Sequence, residues 1–238
     1  MENILMMDFE LNQPLTYLNK FTKLIENEGF TLDLFWARDY VSDKKPSIDD
    51  KINNSKFLII RKPLTFLSGP IVRKKLQDAV IKDKKNMLVM YTFTEKDSMD
   101  VLNEFLKPFK INTSEIQIVD PKANSDDKRN VVFQKKNNCF VHKELFKGVS
   151  KVLIPHPHFV YVTKPAKILI RGNPSSELKY KLDDESSDLT GRNLIVGAYY
   201  DKTGRIILLD STLFLDKYID FNKKFVKNVI TWLGGKKS

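Results

Sequence analysis

The sequence predicts an α/β fold on a mostly parallel, Rossmann-like sheet, with a β-rich insert and a closing hairpin plus helix. Three observations lead there. Short apolar runs of strand length alternate with amphipathic segments up to Leu106. From about residue 111 to 172 the pattern changes to β-like runs in close succession. The last stretch then reads as two strands around a tight turn, followed by an amphipathic helix.

Each element has its own signal. Residues 4–8 form an apolar strand, and Pro14 opens a helix whose Leu15, Leu18, Phe21 and Ile25 keep helical spacing until Gly29 stops it. Residues 32–36 are the next strand, followed by a polar loop at 43–46, and 57–60 is the third strand. Ser68 is placed to cap a helix bearing Ile71, Val72, Leu76, Ala79 and Val80. Residues 87–91 are the fourth strand. Thr94 with Asp97 then has the spacing of a capping box for a helix carrying Val101, Leu102, Phe105 and Leu106. Strands separated by helices of this length imply βαβ units and a parallel sheet.

Within the insert, β-like runs fall at 131–133, 140–141, 152–154, 159–162 and 168–170. The acidic stretch 183–188 reads as a mobile surface loop. Residues 194–199 and 205–210 flank the turn Asp201-Lys202-Thr203-Gly204 as a hairpin. The last helix is predicted to bury Phe221, Phe225, Val229 and Leu233, with Lys223, Lys224 and Lys227 facing water. No repeat or low-complexity linker divides the chain, so 1–238 reads as a single domain.

Composition narrows the function. The 238 residues are 42% hydrophobic and 11% aromatic, sufficient for a packed core. No apolar run reaches transmembrane length, and the start Met1-Glu2-Asn3 lacks the basic region of a signal peptide, so a cytoplasmic setting is expected. The single cysteine, Cys139, excludes an intramolecular disulfide and a cysteine-based zinc cluster. The net charge of +10 comes from two stretches: 122–151 holds eight Lys/Arg against three acids, and 217–238 holds six Lys against one. Each contributes +5 and the rest is neutral. These bases are nearly all Lys, without interleaved aromatics or a nucleic-acid motif, which favours solvated faces over a phosphate-backbone footprint.

A resemblance enters in the last third. The run Gly204-Arg205-Ile206-Ile207-Leu208-Leu209-Asp210-Ser211, the segment Asp216-Lys217-Tyr218, then Asn222 and Trp232-Leu233 resemble the ending of the GIFT domain. That domain is shared by the N-terminal region of an intraflagellar-transport IFT-B core subunit and by gliding-associated transporter components, and prokaryotic proteins of unknown function look similar. The segment Phe146-Lys147-Gly148-Val149, then Leu153-Ile154-Pro155 and on to Gly172, is similar to the same family. The element order is that of the class I glutamine-amidotransferase-like fold. The resemblance implies a non-catalytic module for protein interaction or scaffolding, with protein partners in a larger assembly and no cofactor. The alternative is a domain binding a small ligand or carbohydrate, or a weak hydrolase. Fold alone does not decide between them.

The candidate chemistry is thin. An amidotransferase carries a cysteine on a strained turn after a parallel strand, flanked by small residues. Here that turn reads Tyr91-Thr92-Phe93-Thr94-Glu95, with no cysteine and no glycine. Cys139 and His142 are close in sequence but belong to the lysine-rich insert, and a structural cysteine is the simpler reading. His156-Pro157-His158 offers two metal ligands without a third, which fits a strand-entry turn better than a metal site. Ser68-Gly69-Pro70 stands at a helix start, where capping is the default reading over anion binding. The best binding candidate is the rim at the carboxyl ends of the parallel strands. It should carry Asp8 and Glu10, Arg61 and Lys62, Thr92 and Thr94, and Asp210 and Ser211, with Asp216 nearby. These residues can grip a polar ligand or a partner loop, and they can equally serve as caps and salt bridges.

Overall fold

The computed structural model describes residues 2–8, 17–36, 48–61, 69–92, 96–179 and 189–236. In chain order the elements are β1 (Glu2–Asp8), α1 (Asn19–Asn27), β2 (Phe30–Trp36), α2 (Ile48–Asn54), β3 (Phe57–Arg61), α3 (Pro70–Ile81), β4 (Asn86–Tyr91) and α4 (Lys96–Leu106). The insert contributes β5 (Ile111–Val119), β6 (Asn124–Ser125), β7 (Asp127–Gln134), β8 (Lys151–Pro155) and β9 (His158–Val162). Then come β10 (Lys167–Arg171), β11 (Glu177–Leu178), β12 (Ile195–Tyr200), β13 (Ile206–Asp210) and α5 (Ile219–Leu233).

Seven strands form the main sheet in the order β10-β12-β13-β4-β3-β1-β2. From β2 to β13 every pairing is parallel, and β12 and β10 extend that edge antiparallel. The insert makes two three-stranded sheets, β11-β5-β9 and β6-β7-β8. Strands β3, β4 and β13 are buried almost end to end, as a parallel sheet covered on both faces requires. Alternate residues divide between two cores. Ile4, Met6, Ile59, Leu88 and Leu209 face α1, α5 and the insert, whereas Leu5, Met7, Leu58, Val89 and Leu208 face α2, α3 and α4.

Several expectations need correction. Residues 168–170 were assigned to the insert, but β10 pairs with β12 and belongs to the main sheet. The nine-residue β5 lacks a clean alternation. Its register against β9 shifts between Thr113 and Gln117, and so the run gave no strand signal. The short α2 was not predicted. Ile71 is 67% exposed because Val72, Leu76, Ala79 and Val80 form the stripe that meets the sheet. Phe221 is 47% exposed, and the residue turned inward is Asn222. Its amide pairs with Leu153 on both sides, accepting from the backbone N–H at 2.9 Å and donating to the carbonyl at 2.8 Å. Steps of four residues drift round a helix of 3.6 residues per turn, so Phe225, Val229 and Leu233 share the buried face while Phe221 leaves it. The hairpin turn is as predicted. Gly204 packs so tightly that an added Cβ would meet the Lys85 carbonyl, and its N–H donates to Val80 O at 2.9 Å. Pro14, Leu15, the loop at 43–46, Ser68, Thr94 and the stretch 183–188 lie outside the described residues.

Candidate functional site

The strand order reverses at β1, with β2 on one side and β3 on the other. In open α/β sheets such a switch point leaves a crevice at the carboxyl ends of the strands. Register builds the rim there. Asp8 is the partner of Trp36 on one side and Arg61 on the other, Arg61 is opposite Met90, and Asp210 is opposite Tyr91. Of the candidate rim residues, Asp8 stands beside Arg61, Thr92 directly follows Tyr91, and Asp210 ends β13 on the far side of β4. Ser211 follows Asp210 as the start of a 3-10 turn and is buried. Glu10, Lys62 and Thr94 lie outside the described residues.

Burial changes what these side chains can do. Arg61 is 3% exposed and Asp210 1%, so neither is a solvated surface charge. A buried carboxylate needs donors, and Asp210 finds them nearby. The Thr212 N–H donates to its Oδ1 at 2.9 Å, and the Thr212 hydroxyl lies 2.6 Å from the same oxygen. His158 Nδ1 stands 3.3 Å from Oδ2 and can donate to it. The Tyr91 hydroxyl donates to the His158 carbonyl at 3.4 Å, and the two rings sit 6.4 Å apart. Burial, and then the charge of Asp210, push the Tyr91 phenol well above its usual range, so it stays a neutral donor.

His158 and Tyr91 are the members that sequence reasoning missed. The stretch His156-Pro157-His158 does enter a strand, but the turn also carries His158 onto the rim. His156 takes a left-handed φ of 50°, its N–H donates to Arg129 O at 2.7 Å, and Pro157 O accepts from Ile118 N at 2.8 Å. The Thr212 hydroxyl, 2.9 Å from Pro155 O, ties this turn to the end of β13. The only sequence signal was a histidine placed directly after Pro157, at the start of an apolar run.

The pair His158–Asp210 has the geometry by which a carboxylate orients an imidazole. The Thr212 hydroxyl, however, bonds the carboxylate side of the pair. Cys139 sits in the insert, with its Sγ 3.2 Å from Asn173 Oδ1 and 3.6 Å from Gly172 O, and burial pushes the thiol pKa up. It does not follow a parallel strand. Asp216 accepts from the backbone N–H groups of Asn19 at 3.2 Å and Lys20 at 2.7 Å, capping α1. No cluster of three or more His, Cys, Asp or Glu able to hold a metal occurs among the described residues.

No family model and no curated protein matches the sequence. Solved structures do match. The mmIFT52 N-terminal domain superposes with a TM-score of 0.70 at 15% identity, covering 97% of each chain. A cytoplasmic protein from Salmonella typhimurium gives 0.52 at 12% identity over 98% of each chain. A glutamine amidotransferase from Thermotoga maritima gives 0.47 at 10% identity, over 98% of this chain and 94% of that one. The chain thus has an α/β fold similar to that of the mmIFT52 N-terminal domain from one end to the other, as the sequence resemblance implied.

Proposed function

We propose that this chain is a GIFT-like, non-catalytic interaction module, acting as one domain in a cytoplasmic protein assembly. One observation carries the reading: the fold matches the mmIFT52 N-terminal domain over 97% of both chains, while the turn after β4 offers Thr92 between Tyr91 and Phe93 in place of a cysteine between glycines. Hydrolysis of an amide needs nucleophile, base and oxyanion donors in mutual reach. His158 and Asp210 alone supply a base and its orienting carboxylate. In this reading the rim residues Asp8, Glu10, Arg61, Lys62, Thr92, Thr94, Asp210 and Ser211 shape a partner-facing edge, the buried ones as its frame.

A panel of chromogenic amides and esters, with an electrophilic glutamine analogue, tests the first half on wild type and Thr92→Ala. The expected result is no turnover and no covalent labelling. Turnover that disappears in Thr92→Ala overturns the reading. For the second half, Lys62→Glu is the informative charge reversal, since reversing the buried Arg61 would unfold the rim. Affinity capture from native lysate should lose its partner with Lys62→Glu while the melting temperature is kept; unchanged capture places the partner elsewhere.

A further inference from the structure

A second concave site lies at the opposite pole, at the amino ends of β4 and β13. Tyr199 is opposite Ile207, and Arg205 immediately precedes β13. The cleft there has a volume of about 460 Å³ and is lined by His142, Lys143, Glu144, Lys167, Tyr199, Asp201, Arg205 and Trp232, with the exposed Val141 at its edge.

Its walls are built rather than incidental. His142, Tyr199 and Trp232 meet edge to face, with His142 4.9 Å from Tyr199 and 5.1 Å from Trp232. The Arg205 guanidinium lies 4.4 Å from the Trp232 ring centroid, and its Nη1 donates to Trp232 O at 2.6 Å. Asn86 holds the same corner, accepting from Arg205 N at 3.0 Å and donating to Leu233 O at 2.6 Å. Arg205 thus closes the carboxyl end of α5, yet that uses only part of its five-donor fork. Nε and Nη2 have no hydrogen-bond partner among the described residues. Lys143 has none either, and Lys167 is held by Asp201 at 2.9 Å. The lining charges are three cations against two acids.

We propose that this cleft is an oxyanion site, taking a carboxylate or phosphate-like group on the stacked Arg205 guanidinium, with Lys143 and Lys167 at its flanks. A guanidinium already fixed by stacking and a carbonyl loses little freedom on binding, and its planar fork matches such anions. The site is independent of the rim and of the role proposed for it. His142 links it to pH. Burial holds its imidazole below the usual histidine range; Glu144 and Asp201 act to raise it and Lys167 to lower it further. The other groups facing it are Lys143 from its own segment, Tyr199 from β12, and Arg205 with the Trp232 ring. Bound negative charge stabilises the imidazolium, so affinity rises as pH falls through the histidine range.

Trp36 and Trp232 are the two tryptophans, so Trp36→Phe leaves Trp232 as a reporter beneath Arg205. Sulfate and succinate are titrated separately into this folded variant against chloride at matched ionic strength. The expected result is a saturable Trp232 signal with a Kd of about 1 mM or tighter for at least one of them; the tighter one gives the anion class. Arg205→Lys, which keeps a cation at the helix end but loses the fork, should weaken it about tenfold. Lys143→Gln, an exposed change, should weaken it about threefold. Sulfate should bind several-fold more tightly at about pH 5.5 than at about pH 8, and His142→Gln should abolish that gain. A signal no different from chloride for both anions overturns the proposal, as does affinity unchanged in both Arg205→Lys and Lys143→Gln.

Discussion

Two buried aspartates, Asp120 in the insert and Asp210 at the rim, show how the two halves of the molecule use polar groups. Asp120 is fully buried and saturated by donors of its own neighbourhood. Its Oδ1 accepts from Lys122 N at 3.0 Å, Ala123 N at 2.8 Å and the Ser175 hydroxyl at 2.7 Å. Its Oδ2 accepts from the Ser176 hydroxyl at 2.9 Å and Asn173 Nδ2 at 3.1 Å. Asn173 extends the network to Val132 O, Asn137 and Cys139. Asp210 has the Thr212 pair and one longer contact to an imidazole delivered by another sheet. The first arrangement ties the turn after β5 to the segment between β10 and β11. The second joins separate elements at the point where open α/β sheets carry their ligands. A saturated buried acid therefore marks architecture, and an acid paired with an imidazole at the carboxyl ends of the parallel strands marks a candidate site.

The comparison is tested most severely by cutting the tie between the halves. Phe225 is 1% exposed and stacks on Phe146 of the insert at 4.9 Å. Asn228 beside it donates to Leu145 O and Lys147 O, each at 3.0 Å. Phe225→Ala should cost about 3–5 kcal/mol in chemical denaturation. A loss below about 1 kcal/mol would mean that the insert stands on its own network and gains little from α5.

Asp120→Asn is the next largest. An amide must turn a donor toward groups that already donate, so a loss of about 2–4 kcal/mol is expected near neutral pH. Burial alone would raise the carboxyl pKa, but the donors from Ala123, Ser175, Lys122 and Ser176 outweigh it and the net shift is downward. The stabilisation is thus fully present above the ordinary Asp value of about 4 and is lost as pH falls through the lowered folded value. Melting curves should show the gap between wild type and Asp120→Asn narrowing below about pH 4. A gap constant down to pH 2 would assign the cost to packing.

Much of this was legible from the sequence. Short continuous apolar runs and a 3.6-residue period exposed the parallel strands, the hairpin and α5, because burial on both faces of a sheet leaves continuous apolar runs such as Leu58-Ile59-Ile60. The rim positions of Asp8, Arg61 and Asp210 followed from strand ends alone. His158 did not, because its place depends on how β9 docks across the main sheet, a long-range contact no local pattern encodes. Phe221 and Asn222 failed together for a related reason. A buried asparagine is chosen by two backbone groups of β8, and apolar spacing carries no record of them. The amino-pole cleft was equally hidden, since Tyr199 read as the end of a strand and Trp232 as part of the chain's closing motif.

The rim pair should show a smaller, specific energy. A double-mutant cycle with His158→Gln and Asp210→Asn should give a coupling of about 1 kcal/mol, modest because the contact is 3.3 Å long. A coupling near zero would reduce the two residues to independent packing and remove the distinction from Asp120.

The smallest effect is expected at Cys139, where the two halves meet. Its carbonyl accepts from Arg171 N at 2.8 Å on the edge of the main sheet, while its thiol points to Asn173 in the insert network. A buried thiol behaves as a small apolar group with a weak donor. Serine keeps the donor and improves the hydrogen bond to Asn173 Oδ1, at the cost of putting a more polar atom among apolar neighbours. These terms oppose each other, so Cys139→Ser should change stability by less than about 1 kcal/mol. Burial raises the thiol pKa, which keeps the thiolate scarce at neutral pH. Native protein should therefore react with a thiol-specific disulfide reagent only slowly, at a rate that rises with denaturant as the insert opens. Fast labelling of native protein, together with a loss above about 2 kcal/mol in Cys139→Ser, would show that the network around Asp120 depends on the sulfur and is less self-contained than its hydrogen bonds indicate.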